Sequence, residues 1–202
     1  MPMTASFIVG LVRLLCGAYP RWQGCVPELR PRIYFSNHTS NLDAVVLWSA
    51  LPPAVRSATR PVAAHDYWIS SALRRHLAQR VFHAILIERK KVTAHNNPID
   101  AILEAMTGST SVILFPEGGR FLNPEPAPFK AGLYHLARRR PDAELVPVLI
   151  DNLNRVLPKG EVLPVPLLCS VTFGQPIRLE PGESKPDFLV RARQAVCDLR
   201  NR

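Results

Sequence analysis

The chain has 202 residues, enough for one domain with a sizeable core, and an apolar fraction of 47% with 20% charged residues excludes a disordered polymer. Its net charge of +9 and pI of about 9.9, carried far more by Arg than by Lys, direct it toward phosphate-bearing partners: membrane headgroups, phosphorylated or coenzyme-type substrates, or nucleic acid. Cys16, Cys25, Cys169 and Cys197 are widely spaced and form no CxxC pair, so neither a zinc site nor a disulfide framework is signalled and a reducing compartment is the default.

In chain order, residues 5–16 are strongly apolar but too short to span a bilayer, carry Arg13 in their midst and lack the basic leader of a secretory signal. Tyr19, Arg21 and Trp22 follow, so residues 1–24 read either as an interfacial anchor helix or as a first helix packed on the domain formed by 25–202. Strands are predicted over 31–36, 58–64, 84–87, 111–115, 145–150 and near 170–173. Helices are predicted over 42–51, stopped by Pro52-Pro53; from an Asp66 cap to about Gln79; over 98–106 and 130–140; and over 187–199, where Phe188, Ala192, Ala195, Val196 and Leu199 form an apolar face. The Pro-rich stretches 123–128 and 157–166 read as loops. This alternation predicts an α/β fold: a single domain with a mixed, largely parallel sheet covered by helices, preceded by an amphipathic or membrane-associating helix.

Two stretches carry chemistry. Ser36-Asn37-His38-Thr39-Ser40-Asn41-Leu42-Asp43 spaces a histidine and a carboxylate by five residues, about 500° of helical turn, so the two cannot share a helical face. They meet if His38 lies in the turn before the helix, with Thr39, Ser40 or Asn41 as N-cap and Asp43 in the first turn. Asp43 would then hold one imidazole nitrogen and leave the other as a base toward a hydroxyl. A merely capped loop with a surface histidine fits the same residues. The second stretch, Phe115-Pro116-Glu117-Gly118-Gly119-Arg120, ends a buried strand with glycines that admit a ligand and an arginine suited to phosphate, although a plain strand-to-loop turn has the same appearance.

Taken in order, these stretches resemble the glycerophosphate and lysophospholipid acyltransferase family, of the bacterial 1-acylglycerol-3-phosphate acyltransferase type. Asn37-His38 with Asp43 matches its first motif, Ile85-Leu86-Ile87-Glu88-Arg89 its second, Phe115 to Gly118 with Arg120 its third, and Val146-Pro147-Val148 its fourth. His83 replaces a glycine usual before the second motif, and Gly119 and Phe121 stand where hydroxyl residues are usual, which leaves the acceptor pocket open to another lysolipid such as a lyso-aminolipid. The resemblance implies acyl transfer from acyl-CoA or acyl-carrier protein to the free hydroxyl of a lysophospholipid, most often 1-acylglycerol-3-phosphate, with no cofactor or metal. It implies His38 and Asp43 as catalytic residues and Arg89, Glu117, Gly118 and Arg120 as acceptor-binding ones.

Such substrates partition into bilayers, so the expected partner is an anionic membrane surface, met peripherally on the cytoplasmic face of the inner (plasma) membrane where acyl thioesters are made. Nucleic acid is not expected, because the few aromatic residues are not interleaved with the basic ones. Two other classes remain: a non-catalytic basic module, whose binding would ignore His38, and a hydrolase, which lacks a GxSxG signature. His65, His76, His83, His95 and His135 fall into no metal-binding spacing.

Overall fold

The strand Arg32–Ser36 (β2) is buried along its whole length, and its alternation sets the layers. Ile33 and Phe35 point into one apolar cluster while Tyr34 points into another, the period-two consequence of the pleat. The computed structural model describes residues 3–88, 96–121, 123, 125–153 and 169–200. Among these, seven strands form one sheet in the order β1-β7-β6-β2-β5-β3-β4. The others are Tyr19–Trp22 (β1), Thr59–Ala64 (β3), Ile85–Ile87 (β4), Ser111–Leu114 (β5), Glu144–Asp151 (β6) and Ser170–Phe173 (β7). All neighbours run parallel except β6 and β7.

Helices cover both faces. Met3–Cys16 (α1) and Asp43–Ala50 (α2) bury Ala5, Val9, Val46 and Leu47 in the Tyr34 cluster. Pro98–Ala105 (α6), Gly132–Arg139 (α7) and Lys185–Asp198 (α8) bury Ile102, Leu133, Leu136, Phe188, Ala192 and Val196 in the cluster of Ile33 and Phe35. The mixed, largely parallel, helix-covered sheet is the α/β single-domain class expected from the alternation of elements. No helix among the described residues is long and apolar enough to cross a membrane.

Several boundaries differ from expectation for physical reasons. Gly17 and Ala18 take φ of +71° and +46°, which ends α1 and turns Tyr19 and Trp22 into an edge strand, where Trp22 stacks on Phe173 at 4.0 Å. Pro53–Ser57 (α3) is a short helix opened by a proline in its first turn, a use of proline that a stop signal conceals. The single helix expected after Asp66 is broken: His65–Trp68 (α4) has Ala64 as its N-cap, and Asp66 lies inside it, accepting the Tyr67 amide at 2.9 Å. The chain restarts at Ser71, whose hydroxyl accepts the Arg74 amide and opens Ala72–His76 (α5), followed by a π-helical turn over Leu77–Val81. The closing helix starts two residues earlier than expected, capped by Ser184. The second Pro-rich stretch, 157–166, lies outside the described residues.

Candidate active site

The parallel strands β2, β5, β3 and β4 end together at Ser36, Leu114, Ala64 and Ile87, and the loops that follow them form a cleft of about 320 Å³ at the carboxyl edge of the sheet. His38, Asn41, Phe115, Gly118, Gly119 and Arg120 line it on one side, and Val62, Tyr67, Trp68 and Ile87 on the other.

Asn37 carries β2 one step beyond its last backbone pairing. Its side-chain amide donates to the Ile150 carbonyl and its Oδ1 accepts the Ile150 amide, both at 2.9 Å, so a side chain imitates a strand and fastens the start of the loop to β6. His38 follows in a fixed place, its ring stacked on Phe115 with centroids 4.4 Å apart. Its Nδ1 lies 2.7 Å from Asp43 Oδ2. A carboxylate only accepts, so Nδ1 carries the proton and Nε2 is the nitrogen left for the cleft.

Asp43 is fully buried at the first turn of α2, and the same Oδ2 accepts the amides of Thr39 and Ser40 at 2.6 and 2.8 Å. The loop therefore wraps around the carboxylate. The helix N-cap is Leu42, without a side-chain cap, in place of the expected Thr39, Ser40 or Asn41; the Ser40 hydroxyl accepts the Leu42 amide at 3.3 Å, ahead of the helix. Among the described residues, Asp43 Oδ1 is buried with no hydrogen-bond partner.

Glu117, 2% exposed, closes the second motif on the first: Oε1 accepts the His38 amide at 2.6 Å and Oε2 accepts the Ala127 amide at 2.8 Å. Burial pushes its carboxyl pKa up, opposed by those two backbone donors and by His38. Both oxygens are thus engaged within the protein. The Phe121 amide returns to the His38 carbonyl at 3.0 Å, so the loop carrying Gly118, Gly119 and Arg120 is tied to the histidine at both ends.

Gly118 has φ of +68°, and a Cβ there would lie 2.6 Å from Lys130 Nζ. Lys130 thus lies across the glycine, on the loop that brings Arg120 to the cleft. The sequence reading did not select Lys130; its only signal is its place after the Pro-rich loop. Arg89 lies outside the described residues. The fourth motif is buried in β6, where Val146, Pro147 and Val148 pair with Tyr34, Phe35 and Ser36. A larger cavity of about 390 Å³, lined by Pro147, Gln175, Arg178, Arg191 and Leu199 among others, holds none of the predicted site residues.

The arrangement offers a base with a fixed tautomer, a neighbouring pair of glycines and the cationic Arg120 at one cleft, which suits proton removal from a hydroxyl on an anionic substrate. The Acyltransferase family model matches residues 23–151, which include both motifs and the strands that position them. The 1-acyl-sn-glycerol-3-phosphate acyltransferase of Limnanthes douglasii is 30% identical over 179 residues, covering 86% of this chain and 59% of its own length. The 1-acyl-sn-glycerol-3-phosphate acyltransferase alpha of Mus musculus is 28% identical over 137 residues, 67% of this chain and 45% of that protein. The chain therefore spans about half the length of these curated relatives. The crystal structure of the 1-acyl-sn-glycerophosphate (LPA) acyltransferase PlsC from Thermotoga maritima superposes with a TM-score of 0.72 at 17% identity, covering 98% of this chain and 78% of that one, a likeness of fold. Since the matched segment takes in β2 through β6 and the whole His38–Asp43–Glu117 cluster, the chain belongs to the Acyltransferase family.

Proposed function

We propose that this protein transfers a fatty acyl group from acyl-CoA or acyl-carrier protein to the free hydroxyl of a lysophospholipid, with 1-acylglycerol-3-phosphate as the leading acceptor and phosphatidate as product. The observation that carries the reading is the 2.7 Å contact between His38 Nδ1 and the buried Asp43, which leaves Nε2 for a substrate hydroxyl. In this mechanism Nε2 takes the hydroxyl proton as the oxygen attacks the thioester carbonyl. The tetrahedral intermediate expels the thiolate, which takes the proton back from the imidazolium, so no covalent enzyme intermediate forms. Arg120, which lines the cleft, and Lys130, whose side chain lies against Gly118, supply positive charge for the acceptor phosphate. Glu117 acts by holding the His38 backbone and the loop of Ala127.

The curated relatives named above bear the 1-acyl-sn-glycerol-3-phosphate acyltransferase name, which supports the choice of acceptor. A peripheral place on an anionic membrane, on the cytoplasmic side, fits the substrates. It is supported by α1, where Phe7, Leu11 and Leu14 form an exposed stripe opposite the buried Ala5 and Val9.

The test is to incubate the purified protein and its His38→Ala variant with oleoyl-CoA and a panel of lysolipids that includes lysophosphatidate and a lyso-aminolipid, following free thiol and lipid products by mass spectrometry. Acylated product is expected from the parent, with a loss of about 10² to 10⁴ in rate for the variant. Thiol release without acylated lipid would replace the reading with a thioesterase, and parental activity in the variant would remove His38 from the chemistry.

A further inference from the structure

After β3 ends at Ala64, the chain leaves the sheet over the cleft. Tyr67 and Trp68 line that cleft, and every residue from Ile69 to His76 is exposed. Ile69 and Leu73, one helical turn apart in spacing, show 37% and 69% of their surface to solvent. The charge on the segment is basic: between Tyr67 and Ile87 the sequence holds Arg74, Arg75 and Arg80, with His76 and His83, and neither Asp nor Glu, the flanking carboxylates being Asp66 and Glu88, the latter 3.0 Å from His65. Arg74 places its guanidinium 4.4 Å from the centroid of the Tyr67 ring and donates to Ser70 Oγ at 2.9 Å, which keeps a cation on the cleft wall itself.

The inner side of this segment is firmly seated. Trp68 packs edge-on against Phe82, which meets Trp48 in the same way, and these rings belong to the cluster that receives Ala5 and Val9 of α1. The end of α1 lies at the same end of the sheet as the cleft. The Cys16 carbonyl accepts the Cys169 amide at 2.8 Å, and the adjacent Ser170 pairs with Asp151, the last residue of β6, and with Tyr19. The carboxyl end of α1, which carries Leu14, and the segment of Ile69 and Leu73 therefore lie over the same cluster and toward the same end of the sheet, with the cleft opening beside the second.

We infer that the segment from Ile69 to Arg80 is a second bilayer-contacting surface, whose cations meet the anionic headgroups and whose apolar side chains enter the leaflet, so that a lysolipid passes from that leaflet to His38 along the Tyr67–Trp68 wall. The inference rests on the proposed lipid acceptor. Apolar side chains among cations, without a carboxylate, complement an anionic lipid surface. The geometry also meets a physical need, since withdrawing an acyl chain through water becomes costlier with every methylene group.

The test uses the full chain, its Leu73→Glu/Arg75→Glu variant, and vesicles of phosphatidylcholine with or without phosphatidylglycerol. Sedimentation with vesicles is measured without any reaction, and acyl transfer is measured with vesicle-embedded lysophosphatidate and with a dissolved short-chain one. The parent is expected to bind the phosphatidylglycerol vesicles, and the variant at least about fivefold more weakly, the size expected for one basic residue near an anionic surface. Turnover of the embedded acceptor falls with binding, and turnover of the dissolved acceptor stays within about twofold. Unchanged vesicle binding, a parent that binds no vesicles, or an equal loss with the dissolved acceptor would each overturn the inference. A parent that transfers no acyl group, yet binds vesicles through Leu73 and Arg75, would uphold this surface and sink the proposed activity instead.

Discussion

The backbone amide of His38 donates to Glu117 Oε1 at 2.6 Å, joining two motifs that lie 79 residues apart in the chain. The other carboxylate oxygen takes the Ala127 amide, so Glu117 needs two acceptors at once. Glu117→Gln keeps the shape but turns an NH₂ group toward one of those amides. The variant should lose about 1 to 3 kcal/mol of stability, read by chemical denaturation. Its turnover should fall by about tenfold to a hundredfold as His38 loses its exact seat. Parental stability and rate together would show that the two hydrogen bonds are dispensable.

Asn37 fastens the loop to β6 through two hydrogen bonds with Ile150. Asn37→Ala leaves a buried amide and carbonyl without those partners, and should lower stability by about 1 to 3 kcal/mol. A thermal unfolding midpoint equal to the parent's would refute the strand-extending role.

Gly118 and Gly108 both have positive φ, +68° and +54°, but only at Gly118 would a Cβ meet other atoms, those of Lys130. Substitution by Ala at either should cost about 1 to 2 kcal/mol from the left-handed backbone. Gly118→Ala should in addition displace Lys130 and raise the KM for a phosphate-bearing acceptor about tenfold, while Gly108→Ala leaves KM alone. The comparison is read by steady-state kinetics, and equal KM values in the two variants would contradict the steric argument.

Glu144 ties the start of β6 to Arg32 and Arg30 at 2.9 Å each. Burial raises its pKa, but hydrogen bonds and charge from Arg32 and Arg30 outweigh it, and the net shift is below the ordinary glutamate value of 4.5. A depressed folded pKa means stability that is fully present above that ordinary value and lost as pH falls through the folded one. Glu144→Gln should therefore be less stable than the parent by about 1 to 3 kcal/mol at neutral pH, with the gap closing in acid. Denaturation curves across that pH range check this, and a gap independent of pH would assign the loss to packing.

Much of the fold was legible because local pattern and burial agree. The runs Ser111 to Leu114 and Leu145 to Ile150 are apolar enough to be central strands and nothing else, and they are. Where a local signal had two meanings it misled. Pro53 served as helix start as well as stop, and Asp66 looked like a cap although the ladder begins one residue before it. Tyr19 and Trp22 became a strand because Phe173 and β7 were there to receive them, which no window of sequence contains.

The sequence by itself determined the family pattern and the α/β alternation, and it put His38 and Asp43 within reach of each other across five residues of turn and helix, while their contact and its surroundings came from the fold. Only the tertiary structure decided what surrounds that pair. Glu117 reaching back to the His38 amide, Asn37 extending β2 into β6, and Lys130 lying over Gly118 all depend on strands that are distant in sequence ending side by side at one edge of the sheet. Contacts of that kind are set by strand order and packing, which local propensity does not encode.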